Sequence, residues 1–227
     1  MTQNKTAKMP FKIGFPEKKT VIGITGGVGA GKSHILKHIL AHYGVTVVSA
    51  DETGRELMAP GKAVFEALKA HYGNDILAAD GTIDRARLSE IVFENPESEK
   101  EVNAIEHPLI RDEIIEKIRR AETKIVFLEA ALLEEGDLVP LCDEVIYVQA
   151  TEEERIKRLM AARAYTEEKC RKVMALQKSD AEFQRIATYV LKNNGDWKET
   201  EQSIRLFMDR LLHKGEEDAF SGNRERQ

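Results

Sequence analysis

The chain has 227 residues, of which 42% are hydrophobic, enough to bury a full core as one domain carrying an elaborated insertion. Its formal net charge of −5 offers no global positive field for a nucleic-acid backbone, so nucleic acid is excluded as an expected partner. No stretch is long and apolar enough to span a bilayer, and Cys142 and Cys170 have neither disulfide-framework nor zinc-ligand spacing, so a cytoplasmic protein with reduced thiols is expected.

Residues 1–20, rich in Lys with little periodicity, read as a flexible leader without a function of its own. Val21 to Thr25 is a run of β-formers. Gly26, four residues, and then Gly31-Lys32-Ser33 follow, and a helical apolar pattern comes next. This is strand, glycine-rich loop and helix in the order that a phosphate-binding loop requires. Gly26, Gly27, Gly29 and Gly31 let successive backbone N–H groups converge on one anion. The residues expected to hold a nucleotide are therefore Gly29, Ala30, Gly31, Lys32, Ser33 and His34. Lys32 brings a mobile charge to the β- and γ-phosphates, Ser33 offers a hydroxyl to Mg²⁺, and the helix directs its positive end to the same place.

The first helix is predicted over about Lys32 to Tyr43, with Ile35, Leu36, Ile39, Leu40 and Tyr43 on its apolar face and Gly44 at its C-cap. Val45 to Ser49 reads as a strand buried on both faces, ending at Asp51. Residues 54–120 are helical almost throughout, too long for an ordinary crossover between parallel strands. They are expected to form an inserted subdomain over the carboxyl edge of the sheet, placed to hold a second substrate. His107, which precedes Pro108, is biased away from helical geometry and is expected at a turn.

Strands resume with Lys124 to Leu128, which Glu129 follows, and with Asp143 to Gln149. Two helices over 151–179 carry a high density of Arg and Lys, including Arg158 and Arg163. That density suits a basic lid, although each residue read alone equally fits a solvated charged face. A fifth strand, Thr188 to Lys192, leads to a last helix with Ile204, Phe207, Met208, Leu211 and Leu212 on one face. The polar stretch 214–227 reads as a flexible tail. The nucleotide-binding core thus comprises 21–53, 121–150 and 180–213, and the expected fold is a P-loop α/β fold with a five-stranded parallel sheet.

A phosphate loop alone does not separate a small-molecule kinase from a GTPase or an ATP-binding regulatory protein. Asp51-Glu52-Thr53-Gly54 has the Asp-x-x-Gly form of a GTPase switch. It follows Ser33 too closely for a preceding switch loop and strand, and no Asn-Lys-x-Asp guanine reader exists. A kinase needs a carboxylate beside the phosphate loop to accept the acceptor hydroxyl's proton, and Asp51 fits that place. It equally fits a helix N-cap.

From Val21 to Asp209 the chain resembles the dephospho-coenzyme A kinases. Val48-Ser49-Ala50-Asp51 followed by Arg55 is similar to the family's Asp-Ala-Asp signature and downstream Arg. Asp80 to Arg85 with Leu88, Val92 and Phe93, then His107-Pro108-Leu109-Ile110, resemble its acceptor-domain pattern. Glu129-Ala130-Ala131-Leu132-Leu133 corresponds to its acidic-x-Pro-Leu-Leu stretch, and Arg158, Arg163, Gln177, Asn193 and Gly195 fit its lid and final strand. Ser49, His34 and Ala131 depart from the usual residues at their positions. The resemblance implies Mg²⁺-dependent transfer of the γ-phosphoryl group of ATP to the ribose 3′-hydroxyl of dephospho-CoA. Lys32, Asp51 and Arg163 would be catalytic, and Arg158 and Arg163 would contact ATP. Asp51, Arg55, Arg85, His107 and Arg111 would bind the acceptor, and Ser33 with Glu129, through water, would attend the metal.

Overall fold

The computed structural model describes residues 19–94, 96–134 and 136–222. Most of the leader and the last five residues of the tail lie outside it, as do the side chains of Val92 and Phe93. The chain divides into two compact units. One comprises residues up to Thr25 together with Gly44–Val145, the other Gly26–Tyr43 together with the chain from Ile146.

The first unit contains strands β1 (Thr20–Thr25), β2 (Thr46–Ser49) and β3 (Ile125–Glu129). β3 pairs in parallel with both others, setting Ile24 and Ser49 beside Glu129 at the carboxyl ends. β1 and β3 are buried along almost their whole length, as near-continuous apolar runs in a parallel sheet should be. β2 corrects the expectation for its stretch. Only Val48 is fully buried, because β2 pairs with β3 alone among the described strands.

Helices α2 (Ala50–Leu57), α3 (Ala63–Tyr72), α4 (Arg85–Glu94) and α5 (Pro96–Arg120) form the insertion. Leu57, Val64, Leu68, Ile76, Leu88 and Val102 give it a core of its own. Its only described strand-like pairing is an isolated bridge between Leu77 and Ile83. Gly54 is buried where α2 crosses α5, and an added Cβ would stand 3.2 Å from Ile110 Cδ1. Close helix packing therefore accounts for the glycine of the Asp-x-x-Gly pattern. Lys117 of α5 reinforces the crossing by donating to Thr53 Oγ1 at 3.1 Å and Glu56 Oε2 at 2.5 Å.

Two further expectations fail here. Asp51 does not end a strand: Ser49 caps α2, accepting from the Glu52 N–H, and Asp51 lies in the first helical turn. His107 and Pro108 do not make a turn either, since α5 runs through both. Proline removes one N–H from a helix but does not forbid it where tertiary packing holds the flanking turns. Here Ile114 and Ile118 of the same helix are fully buried.

The second unit contains α1 (Lys32–His42), the parallel pairing of β4 (Glu144–Gln149), from Ile146 onward, with β5 (Tyr189–Lys192), and helices α6 (Glu152–Arg163), α7 (Glu167–Ala175), α8 (Asp180–Ile186) and α9 (Trp197–Gly222). α1 buries Ile35, Leu36 and Ile39 but leaves Leu40 exposed. It ends at His42, with extended Tyr43, not Gly44, as its C-cap. α8 was not expected; Ser179 and Glu182 close a capping box at its start. Tyr147 and Gln149 of β4 anchor it by donating to Asp180 at 2.6 and 2.9 Å. α9 buries Ile204, Phe207, Met208 and Leu211, leaves Leu212 exposed, and runs to Gly222.

Candidate functional site

The phosphate loop is shaped by glycines that no other residue replaces without strain. Gly26, Gly29 and Gly31 have positive φ, and Gly31, at +97°, is the N-cap of α1, which has no side-chain cap. The first N–H groups of a helix have no carbonyl partners within it, so this uncapped end suits an anion. Lys32 folds back over the loop and donates from Nζ to Gly26 O at 2.6 Å. Ser33 is exposed beside it.

Side chains from α6, from the connection between α7 and α8, and from the end of β5 fasten the loop. Asn193, buried, donates to Ala30 O at 2.8 Å and accepts from Thr200. Arg158 donates to Ala30 O at 3.2 Å and to Asn193 O at 2.8 Å, with Glu154 3.7 Å away. Arg155 donates to Val28 O at 2.9 Å, and Gln177 accepts from both Arg155 and the Val28 N–H. The Val28 and Ala30 N–H groups are taken within the protein, by Gln177 and by Gly27 O, so the uncapped start of α1 is the part of the loop that suits phosphate. Val28 also packs on the buried cluster Ile156, Leu159 and Cys170, which joins α6 to α7. Arg163, in contrast, lies at the exposed end of α6, 5.9 Å from the Tyr165 ring.

Gly31→Ala should disrupt this framework. Its Cβ would fall 2.3 Å from Asn193 Nδ2 at a φ that side chains resist, at a combined cost of about 1–3 kcal/mol. Thermal unfolding should show a lowered Tm, together with loss of ATP binding. An unchanged Tm would mean that the loop is not held as described.

The first unit contains a cleft of about 540 Å³. The five residues expected to handle the acceptor all line it: Asp51 and Arg55 from α2, Arg85 from α4, and His107 and Arg111 from α5. The early helix α2 and the later helix α5 meet at Gly54, which explains how residues so far apart in sequence share one surface. Ala130, Ala131 and Leu132, following β3, form another wall, and Ala131 O accepts from the buried Thr25 hydroxyl at 2.9 Å. Three arginines and one histidine around an apolar floor suit a ligand with both phosphate and uncharged parts. Glu129 stands at the end of β3, half-buried, beside Ser49.

Two features of the site have no signal in the sequence pattern. Arg155 is one of many cations on α6 and α7, and only its contact with the loop distinguishes it. Glu106 also lines the cleft. Burial pushes its carboxyl up to about 7, against the opposing pull of Arg85. Of the two cysteines, Cys142 and Cys170 are both buried and free, and burial pushes the Cys142 thiol up to about 12.

The described residues contain no group of three or more His, Cys, Asp or Glu that could cage a metal. Mg²⁺ does not need one, because it is usually held by one or two protein oxygens plus substrate phosphates and water. The exposed Ser33 hydroxyl beside Lys32 fits that role.

Comparison with known proteins bears on the whole arrangement. The family model for dephospho-CoA kinase matches residues 20–199. The dephospho-CoA kinase of Geobacillus kaustophilus is 37% identical over 186 residues, covering 81% of this chain and 92% of the relative. That of Streptomyces avermitilis is 35% identical over 202 residues, covering 88% and 98%. The solved dephospho-CoA kinase from Campylobacter jejuni has a TM-score of 0.65 at 24% identity, over 87% of this chain and 99% of that one, so it shows the fold: helices flanking a five-stranded parallel sheet.

Proposed function

Because the chain belongs to the dephospho-CoA kinase family, we propose that its phosphate loop holds MgATP and its arginine-lined cleft holds dephospho-CoA, whose ribose 3′-hydroxyl receives the γ-phosphoryl group. The observation that carries this reading is the convergence of Asp51, Arg55, Arg85, His107 and Arg111 on one cleft. Arg55, Arg85 and Arg111 offer planar forks to the acceptor's phosphates, and His107 borders its ribose. Asp51 orients the 3′-hydroxyl and takes its proton as the bond from O3′ to the γ-phosphorus forms and the bond to the β-phosphate oxygen breaks.

Lys32 neutralises charge developing on the transferred group, with Arg158 and Arg163 adding to it from the lid. Ser33 would hold Mg²⁺ directly and Glu129 through water, and the ion would supply positive charge to offset that of the phosphates. No helix among the described residues is long and apolar enough to cross a membrane, and we assign the activity to the cytoplasm. Incubation with MgATP and dephospho-CoA should yield coenzyme A phosphorylated at the ribose 3′ oxygen, read by mass and phosphorus NMR. Phosphate at any other position would overturn the assignment of the acceptor.

Arg163 is exposed and free of the loop carbonyls that engage Arg158, so it is the lid residue able to move onto the phosphoryl group. Lid closure would also exclude water and so suppress wasteful ATP hydrolysis. Arg163→Ala should lower kcat about tenfold or more while changing ATP affinity less. Equal losses in both would mean that Arg163 makes only a ground-state contact.

A further inference from the structure

The acceptor cleft contains a carboxylate for which charge matching to an anionic ligand gives no reason. Glu106, on α5, lines the cleft one residue before His107. Its Oε1 is buried and has no hydrogen-bond partner among the described residues, and the same is true of Arg111 Nε in the cleft wall. Tyr72 OH is buried without a partner as well, and Glu106 is one of the charges that resist its ionisation. Arg85 of α4 is the charge that acts on this carboxyl, and Glu106 in turn acts with Glu101 of α5 on Tyr72 of α3. The other charged or titratable groups lining the cleft with it are His107 and Arg111 from α5 and Asp51 and Arg55 from α2. A buried carboxylate oxygen left unpaired is costly, and the cost is recovered only when a donor meets it.

We propose that Glu106 is a specificity residue of the acceptor site, its carboxylate, which lines the cleft and has an unsatisfied oxygen, turning to accept a hydrogen bond from an N–H or O–H on the uncharged part of the acceptor while Arg85 and Arg111 take the phosphates. The proposal rests on the reading of this cleft as the acceptor site. It gives the cleft a paired code, anion at the arginines and donor at Glu106, which a ligand offering phosphate alone satisfies only by half. The ionised carboxylate makes the stronger, charge-assisted bond. Binding of the acceptor should therefore weaken as pH falls through about 7, where the raised carboxyl takes up its proton.

The test is steady-state kinetics at saturating MgATP with dephospho-CoA varied between pH 6 and 8.5, for the wild type, Glu106→Gln, Glu106→Leu and Arg85→Ala, with Tm measured in parallel. Glu106→Leu should raise the KM for dephospho-CoA about tenfold at pH 8, leave the KM for ATP unchanged, and abolish the wild-type rise in KM at low pH. Glu106→Gln, which keeps an accepting oxygen, should recover most of the affinity with a flat pH profile. Linkage adds a second sign. The folded state holds the Glu106 proton to higher pH than the unfolded state, so this group erodes stability as pH rises from about 4.5 to about 7. Glu106→Leu should thus raise Tm more at pH 8 than at pH 5, a gain that a purely structural carboxylate would share. A wild-type KM in Glu106→Leu at every pH, alongside a raised KM in Arg85→Ala, would overturn the proposal and leave the cleft assignment standing. Wild-type KM values in both variants would overturn the cleft assignment as well.

Discussion

Lys32→Ala is expected to lower kcat by about 10²- to 10³-fold or more, the scale seen when one preorganised charge-stabilising group is removed from a transition state. The wild-type ammonium is held over the loop by a 2.6 Å bond to Gly26 O, so it is positioned before the nucleotide arrives. Phosphoryl transfer involves little covalent work by the protein, and positioning with charge stabilisation supplies most of the rate. Removing the side chain costs the fold the hydrogen bond to Gly26 O, worth about 1 kcal/mol. The circular dichroism spectrum should stay unchanged, with Tm lower by about 2–4 °C. A folded Lys32→Ala protein with wild-type turnover would remove the loop from the mechanism.

Asp51→Asn should lower kcat by about 10²- to 10⁴-fold if its carboxylate takes the acceptor proton. The structure makes this experiment cleaner than the sequence alone allowed. The cap of α2 belongs to Ser49, so the substitution leaves the cap intact and removes only a favourable charge from the first helical turn, worth about 0.3–1 kcal/mol. Stability and activity therefore separate. If Asp51 acts instead by holding the metal through water, raising the Mg²⁺ concentration should restore part of the rate. Normal kcat and normal KM for dephospho-CoA, with only a lowered Tm, would leave Asp51 a structural residue.

The parts of the molecule that could be read from sequence are those set by local backbone demands. Gly26, Gly31, Lys32 and Ser33 encode the loop because their spacing and conformation are needed together, and β1, β3 and β4 are apolar runs because both faces are covered. The errors arose where tertiary context overrides a local rule. Pro108 reads as a helix breaker, yet α5 carries it because the surrounding turns are packed. Asp51 and Ser49 are both good caps, and sequence alone does not say which of two neighbours takes the role. α8 has a sequence signal in Ser179-x-x-Glu182, but its seven residues are too few to show a helical apolar period. Glu106 was beyond reach: on a charged helix it reads as solvated, and only the meeting of α2, α4 and α5 turns it into a cleft residue. Arg155 is hidden in the same way among the cations of α6 and α7, its distinction resting on Val28 and Gln177.

The most direct test of the central claim is the rate of ADP release from MgATP by the full chain, measured with dephospho-CoA, with a panel of nucleosides and shikimate-like alcohols, and with no acceptor. ADP should appear rapidly with dephospho-CoA alone, in amounts equal to the coenzyme A formed, and only at a low background rate otherwise. Faster ADP release with a nucleoside or an alcohol, or a rate that dephospho-CoA does not raise above the acceptor-free background, would contradict it.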